Sequence, residues 1–383
     1  MTETFARKIG RQLANVPAQA TAALIVRLGA IRRNYSKLRA LAKGAETAAV
    51  VKANAYGLGV AQCAPALVNE GCRTFFVATF AEAEALRALS GGARIYVLDG
   101  LLPGNCALYE EFRVRPVLGS LEEAAEWAAF CKSRGRRLPA AIHLDTGMAR
   151  LGLTMREFER LGDELSQRGA TRWRALISHL ACADLPAHPL NEIQLRRFVS
   201  ARRQFCDLPA SLAASSGIFL HRGFHFDFVR PGAALYGINP QPGAVNPMRQ
   251  VVRLKARILQ VREVDRGESV GYGATHVMDH PGRLATVAVG YADGWPRSLS
   301  PRGSGRLGGT RLPLLGRVSM DLVVFDVSAV DPSLARPGSF IELLDDDYGV
   351  DAAAADAGTI GYEILTALGW RCHRVYRGVP NQC

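Results

Sequence analysis

The sequence predicts an eight-stranded parallel β/α barrel of the TIM type, followed by a second, C-terminal, mainly-β domain. Eight short apolar runs lie between residues 47 and 229, and helix-like segments separate most of them. Alternation of strand and helix implies a parallel sheet, and eight such units imply closure into a barrel. After residue 247 the pattern changes to alternating strands with glycine and proline between them, which indicates a β-rich domain.

The individual elements follow from the same patterns. The predicted barrel strands are 47–51, 74–78, 94–98, 114–118, 140–144, 175–178, 211–214 and 226–229. Helical spacing of apolar residues predicts helices at 30–42, 80–89, 121–132, 155–167 and 190–205. The second domain is predicted to contain strands at 251–261, 284–289, 322–327 and 340–344, and a helical segment at 351–368. The resulting domains are a flexible leader at 1–20, a barrel at 21–247 and a β-rich domain at 248–383.

Composition narrows the class of protein. No run of about 18 apolar residues predicts a membrane span, and no apolar segment of secretory type follows the first basic residues. The net charge is +12, but the arginines are spread along the chain without a basic run interleaved with aromatics, so we do not expect nucleic-acid binding. Eight scattered cysteines without a CxxC pair indicate reduced thiols and a cytoplasmic protein, and the histidines lack zinc spacing, so no metal site is predicted.

A single lysine ends the first predicted barrel strand. The run at 47–51 is apolar on both faces, and Lys52 follows it at the start of a loop that contains Gly57 and Gly59. Desolvation lowers the pKa of a lysine and makes its neutral, nucleophilic amine accessible. The alternative is a surface lysine that merely follows a core strand.

Polar residues also follow the later strands. Strand five leads to Arg150, strand six to His179, strand seven to Ser215 and strand eight to Arg230. The carboxyl ends of barrel strands converge on the active site, and the loops after strands seven and eight commonly bind phosphate. A hydroxyl at position 215 and the backbone N–H groups of Gly232 and Ala233 suit that role. Taken alone, the histidine could equally be a satisfied core residue and the last arginine a salt-bridged one.

The segment VKANAYGLG at 51–59 resembles the pyridoxal-phosphate attachment site of alanine racemases, and further motifs of that family recur as far as residue 363. The resemblance implies that Lys52 forms a Schiff base with the cofactor and that Tyr56 contacts its phosphate. It also implies that His179 packs against the pyridine ring and that Arg230 hydrogen-bonds the ring nitrogen. Because a guanidinium does not give up its proton, that nitrogen stays largely unprotonated, which suits a racemase better than a transaminase.

The same resemblance assigns the remaining site residues. Arg150 is expected to support the substrate carboxylate and the catalytic tyrosine, by the bidentate pairing that guanidinium favours. In the second domain, SVGYGAT at 269–275 supplies Tyr272 as a second acid/base, GYADG at 290–294 supplies Tyr291 as an entrance or substrate contact, and GRVSMD at 316–321 supplies the Met320 backbone for the substrate carboxylate. In the family these segments reach the site from a partner subunit, which implies a head-to-tail homodimer.

The function implied is interconversion of L-alanine and D-alanine by two bases, with Lys52 on the proton of D-alanine and Tyr272 on that of L-alanine. Its use is the supply of D-alanine for peptidoglycan or the catabolism of alanine. Three alternatives stay open: a racemase of broader amino-acid specificity, a same-fold decarboxylase and a non-catalytic, single-barrel carrier of the cofactor. The decarboxylase needs a carboxylate where Arg230 stands, and the carrier does not need the β-rich domain.

Four positions depart from the pattern of many family members. His143 stands where many relatives have a lysine, which is carbamylated in some. Ala214 replaces an asparagine before the phosphate serine, and Ser319 replaces a cysteine before the methionine. Trp370 takes the place of a tyrosine that helps to bind phosphate in some relatives. A histidine cannot form a stable carbamate, so the change at position 143 alters the charge balance around Arg150.

Overall fold

The computed structural model describes residues 16–162, 169–204 and 207–378. The chain forms two compact units, one made by Ile31–Arg249 and the other by Met1–Ala30 together with Gln250–Cys383. Most of the leader predicted at 1–20 lies outside the described residues.

The first unit is the β/α barrel. Its first strand has two parts, Glu46–Thr47 and Ala49–Val50, and the remaining strands are Thr74–Val77, Arg94–Val97, Arg115–Leu118, Pro139–His143, Arg172–Ile177, Ala210–Ser211 and Phe228–Val229. Parallel pairing runs from Ala49–Val50 through each successive strand to Ala210–Ser211. The last strand pairs in parallel with Glu46–Thr47, and the Asp227 amide donates to the Ala210 carbonyl at 3.0 Å. The eight strands therefore close a ring, and the predicted barrel is confirmed.

Helices follow most of the barrel strands. They are Val60–Asn69, Phe80–Arg87, Cys106–Glu111, Leu121–Ser133, Met155–Arg160 and Leu190–Gln204, and Leu28–Leu41 precedes the first strand. Thr79 and Thr154 begin two of these helices with capping boxes, in which a glutamate three residues later returns a hydrogen bond. Part of the helix predicted at 155–167 lies outside the described residues. None of the described helices is long and apolar enough to cross a membrane.

The second unit is mainly β, as predicted. Its strands are Ala22–Arg27, Val252–Val264, Ser269–Val270, His276–Val277, Gly282–Val287, Ser304–Leu307, Thr310–Leu315, Val323–Asp326, Phe340–Leu344 and Cys372–Arg377. The long strand Val252–Val264 pairs antiparallel with three others and organises the main sheet. Two helices, Val350–Ala357 and Gly361–Ala367, occupy the segment predicted as one helical stretch.

The barrel begins later than the sequence predicted. Residues 21–30 were expected to open the barrel domain, but Ala22–Arg27 pairs antiparallel with Val252–Val264 and parallel with Cys372–Arg377. Its side chains are buried from Ala22 to Val26, so the strand is covered on both faces. An apolar run indicates that a segment is a buried strand, but its sheet is chosen by partners more than 200 residues away.

Candidate active site

Lys52 lies directly after the first barrel strand and opens an unusual turn. Ala53, Asn54, Ala55 and Tyr56 all have left-handed backbone angles, with φ between 52° and 56°. This conformation costs about 1–2 kcal/mol for each residue other than glycine. The Lys52 side chain is half-buried, and its amine makes no hydrogen bond or ion pair with any residue that the structure describes. The lysine is therefore held at the barrel mouth by a strained turn, with its amine available.

A cup for an oxyanion lies beside this turn. The Ser215 hydroxyl oxygen accepts hydrogen bonds from the amides of Gly232 at 3.0 Å and Ala234 at 3.1 Å, which leaves its own O–H free to donate. A Cβ added to Gly232 would collide with the Tyr56 hydroxyl and lie 3.2 Å from the Val50 Cβ. The structure thus brings together three of the predicted phosphate contacts, and only glycine fits between them.

Two details of this cup were not predicted. The Ser215 hydroxyl binds the amides of Gly232 and Ala234, a contact that the sequence did not predict, and Ala233, whose amide was expected to bind phosphate, is buried in the same short 3₁₀ turn. The ring of Tyr56 packs against Tyr236, with ring centroids 4.8 Å apart, and the Tyr236 hydroxyl donates to the Val50 carbonyl at 3.0 Å. Tyr236 therefore fixes the wall behind the Tyr56 hydroxyl. Tyr236 lies in an apolar run, and that pattern indicates only a segment of the core.

Arg230 is a buried cation, 4% exposed, at the end of the eighth strand. Its guanidinium donates to the Ser211 carbonyl at 2.8 Å, to the Ser211 hydroxyl at 2.6 Å and to the Ser178 carbonyl at 2.5 Å. Burial lowers its pKa to about 9, so it remains charged at neutral pH. None of the described carboxylates pairs with it, which argues against the alternative of a barrel-end salt bridge.

Two histidines near this cation are uncharged at neutral pH. Burial, followed by the charges of Arg230 and Arg150, lowers the pKa of His179 to about 3. Burial and the same two arginines lower the pKa of His143 to about 4. His143 therefore adds no charge beside Arg150, where a carbamylated lysine would add a negative one.

The loop after strand five is shaped by its own aspartate. The Asp145 carboxylate accepts hydrogen bonds from the amides of Gly147 and Met148 at 2.8 Å and of Ala149 at 3.0 Å. Partial burial raises the pKa of this carboxyl, but the three amides outweigh burial and bring the pKa below its usual value. Arg150 follows on the exposed side, unpaired among the described residues, so its guanidinium is free to bind a carboxylate.

Gln194 joins two of the strand-end loops and was missed by the sequence analysis. Its amide nitrogen donates to the Thr146 hydroxyl at 3.1 Å and to the His179 carbonyl at 2.9 Å, and its oxygen accepts from the Ala181 amide at 2.9 Å. It is fully buried. A glutamine within a polar helix carries no sign in the sequence that it faces inward.

The three predicted segments of the β unit lie next to one another. The amides of Tyr291 and Ala292 donate to the carbonyls of Ser319 at 3.1 Å and Met320 at 3.0 Å. A Cβ on Gly273, beside Tyr272, would lie 3.1 Å from the Arg317 guanidinium. Tyr272, Tyr291 and Met320 are therefore grouped on one part of this unit.

Arg371 holds two of these segments together. It forms a bidentate ion pair with buried Asp293, with both contacts at 2.7 Å, and contacts Asp321 at 2.7 Å. Its pKa is raised, first by the hydrogen bond to Asp293 and then by that to Asp321. No sequence pattern links this arginine to loops that lie 50 and 78 residues away from it.

Three further positions differ from the family pattern, namely Ser319, Ala214 and Trp370. The Ser319 hydroxyl donates to the Leu322 carbonyl at 2.8 Å and accepts from its amide at 3.1 Å, so it stabilises its own turn. Ala214 forms an isolated parallel bridge with Arg230. Trp370, which stands in place of the tyrosine, is 89% exposed in the β unit.

The residues at the barrel mouth fit a pyridine cofactor that carries a phosphate. An available lysine, an oxyanion cup that a Cβ at position 232 would fill, and a buried guanidinium without a described counter-ion define a pyridoxal-phosphate enzyme built on a β/α barrel. More particularly, the chain belongs to the alanine racemase family. Residues 26–240 match its N-terminal domain and residues 251–376 its C-terminal domain. Members of this family are pyridoxal-phosphate-dependent isomerases.

Individual relatives agree with this assignment. The chain is 50% identical over 356 residues to an alanine racemase of Methylobacterium nodulans, covering 93% of this chain and 96% of that one. It is 49% identical to a catabolic alanine racemase of Mesorhizobium japonicum, covering 94% of each. The crystal structure of alanine racemase from Bartonella henselae with covalently bound pyridoxal phosphate is similar, with a TM-score of 0.89 and 38% identity over 94% of this chain and all of that one.

Proposed function

We propose that this chain interconverts L-alanine and D-alanine, with pyridoxal phosphate held on Lys52. The observation that carries the proposal is Arg230, a buried cation at the position where a ring-nitrogen partner is expected. When bound, pyridoxal phosphate supplies an electron sink that acidifies the α-proton of an attached amino acid. A guanidinium beside the ring nitrogen disfavours its protonation and so moderates that sink.

The chain's own residues then bind, orient and move the proton. Lys52 removes or returns the α-proton of D-alanine through its ε-amine, and Tyr272 does the same for L-alanine through its phenol oxygen. His179, neutral at the working pH, supports the ring without adding charge. The phosphate is bound by Tyr56, Ser215, Gly232 and Ala233, and the substrate by Arg150, Tyr291 and Met320.

A head-to-tail homodimer completes the site in this proposal. Tyr272 is 73% exposed, Tyr291 44% and Met320 54%, which is high for apolar side chains grouped together. A surface that a partner subunit covers in the dimer would be exposed in this way in the single chain. Each site would then combine Lys52 of one subunit with the tyrosine of the other.

We place the enzyme in the cytoplasm and assign its product either to peptidoglycan synthesis or to alanine catabolism. The six cysteines that the structure describes are all free thiols, in keeping with a reducing compartment.

The direct test is racemisation of L-alanine by the purified protein with pyridoxal phosphate, followed as loss of optical rotation. A panel of other L-amino acids distinguishes a strict alanine racemase from one of broader specificity. Release of carbon dioxide without racemisation would instead support the decarboxylase alternative, although Arg230 stands where that activity needs a carboxylate.

A further inference from the structure

The strained turn after Lys52 needs support from outside itself. Four consecutive non-glycine residues in left-handed conformation persist only when their surroundings determine them. Local bonds supply part of this support: the Ala55 amide donates to the Val51 carbonyl at 2.9 Å, and the Val60 amide donates to the Asn54 side chain at 2.8 Å. The first peptide of the turn, between Lys52 and Ala53, is held differently.

A carboxylate from another barrel unit binds that first peptide. Glu82 accepts a hydrogen bond on Oε1 from the Ala53 amide at 2.6 Å. Its Oε2 accepts from the amides of Ala78 at 2.8 Å and Thr79 at 3.4 Å, and so forms the capping box of the helix Phe80–Arg87. One half-buried side chain thus ties the end of the second barrel strand to the residue that follows Lys52.

We propose that Glu82 is a positioning residue for the cofactor site. Its bond to the Ala53 amide fixes the peptide plane that leaves Lys52 and thereby the direction of the lysine side chain. The same bond starts the left-handed turn that ends at Tyr56, whose hydroxyl lies at the oxyanion cup. Glu82 therefore sets the distance between Lys52, which anchors the cofactor covalently, and the Tyr56 hydroxyl, which contacts its phosphate. It does so without itself contacting the cofactor. The inference rests on the proposed function for the identity of the cofactor.

The chain offers a matched control for this role. Glu157 forms the same kind of capping box, with its Oε2 accepting from the Thr154 amide at 2.9 Å and from the Thr154 hydroxyl at 2.8 Å. Among the described residues its carboxylate bonds nothing beyond Thr154. Only one of its oxygens is used, whereas Glu82 uses both.

The experiment compares Glu82→Gln with Glu157→Gln in the full-length protein. Glutamine has one acceptor oxygen, which suffices for the box at Thr154 but cannot serve both the helix start and the Ala53 amide. We expect Glu82→Gln to weaken pyridoxal phosphate binding about 10- to 100-fold, as for loss of one charge-assisted hydrogen bond, and Glu157→Gln to leave it within about twofold. Affinity is measured by titrating cofactor-free protein with pyridoxal phosphate and following its visible absorbance.

Two further variants separate positioning from folding. Thr79→Ala removes the hydroxyl of the box but leaves the Glu82–Ala53 bond, so it should bind the cofactor like the wild type. Glu82→Asp keeps the charge on a shorter side chain and should weaken binding as Glu82→Gln does. Circular dichroism of each cofactor-free variant shows whether it is folded. Equal cofactor affinity in Glu82→Gln, Glu82→Asp and Glu157→Gln would overturn the proposal.

The readout also separates this inference from the proposed function. Borohydride reduction followed by peptide mapping reports linkage at Lys52 whether or not alanine is racemised. If the wild-type protein carries the linkage at Lys52 but fails to racemise alanine, the proposed function is contradicted. The role of Glu82 is then still tested by comparing the cofactor affinities of the Glu82 and Glu157 variants. Intact linkage and affinity in folded Glu82 variants would contradict the positioning role alone.

Discussion

At the scale of single residues, charge is the controlling property of this site. Arg230 is a buried cation whose hydrogen-bond partners among the described residues are all uncharged oxygens, and it keeps its charge because its pKa remains near 9. That charge, with Arg150, helps to hold His179 and His143 neutral. A positive site of this kind favours an anionic substrate group and an unprotonated ring nitrogen, which the proposed reaction requires.

The first residue-scale prediction concerns the two bases. Tyr272→Phe should lower racemisation about 10²–10⁴-fold, the usual contribution of a positioned proton-transfer group, while the cofactor stays bound. The loss should be asymmetric, because Lys52 can still act on D-alanine. The measurement is exchange of the α-proton in D₂O, followed separately from each enantiomer. Equal losses from both would show that the tyrosine shapes the site without being the base for L-alanine.

The second concerns pH. In the unfolded chain a histidine has a pKa of about 6.5, whereas His179 and His143 have pKa values of about 3 and 4 in the fold. Below pH 6.5 the unfolded state therefore binds more protons, so the free energy of unfolding should fall as pH falls toward 3, by at most about 1.4 kcal/mol per pH unit for each histidine.

Urea unfolding of the cofactor-free protein at pH 7.5 and pH 5 checks this dependence. His179→Asn should reduce the difference between the two pH values, and the exposed His280→Asn serves as the control. An unchanged difference in His179→Asn would contradict the assignment of the pH dependence to that histidine.

At the scale of elements, the loops after strands seven and eight act as one unit. The serine that ends one loop accepts hydrogen bonds from amides of the other, so neither loop forms the oxyanion cup alone. The turn after strand one completes it through Tyr56. A side-chain atom added to a glycine at this cup should therefore disturb its geometry.

Gly232→Ala tests that sensitivity. Because a Cβ would collide with the Tyr56 hydroxyl, the tyrosine must move, and affinity for pyridoxal phosphate should fall about tenfold or more. The double variant with Tyr56→Phe lacks the colliding hydroxyl, so its free energy of unfolding should return toward the wild-type value. Its affinity for pyridoxal phosphate should stay below that of the wild type, since a phosphate contact is then absent. Wild-type affinity in Gly232→Ala would mean that the cup is looser than the close packing indicates.

At the scale of the whole molecule, the two proposed bases belong to different units. Lys52 belongs to the unit Ile31–Arg249, and Tyr272 belongs to the unit that contains Gln250–Cys383. Within the β unit, Arg371 locks the Tyr291 and Met320 segments together, so these residues are presented as one surface.

Subunit complementation tests the proposed dimer. Lys52→Ala and Tyr272→Phe chains should each have little activity, because each lacks one base. If the tyrosine acts in the partner's site, mixed dimers contain one intact site, and activity should recover after subunit exchange toward about a quarter of wild type for random pairing of equal amounts. Each mutant exchanged with itself is the control. Lack of recovery, with exchange shown by labelled chains, would indicate that each chain builds its own site.

The sequence by itself determined the barrel and predicted a set of residues at its mouth. Strands buried on both faces leave unbroken apolar runs, and the carboxyl ends of parallel strands meet at one edge, so Arg230 and Ser215 could be grouped with Lys52 before any coordinates. The positive φ angles of Gly57 and Gly59 agree with the tight turns predicted there. These inferences depend on local pattern and on the geometry of one fold class.

Only the tertiary structure decided which distant groups support those residues. Ala22–Arg27 joins the β unit through partners far along the chain, and Glu82, Gln194 and Arg371 reach loops that no periodicity connects to them. The left-handed turn at Ala53 to Tyr56 also needs support beyond its local hydrogen bonds, because alanine disfavours that conformation. Backbone strain and long-range hydrogen bonds are properties of the packed molecule, since each depends on atoms that the sequence places far apart.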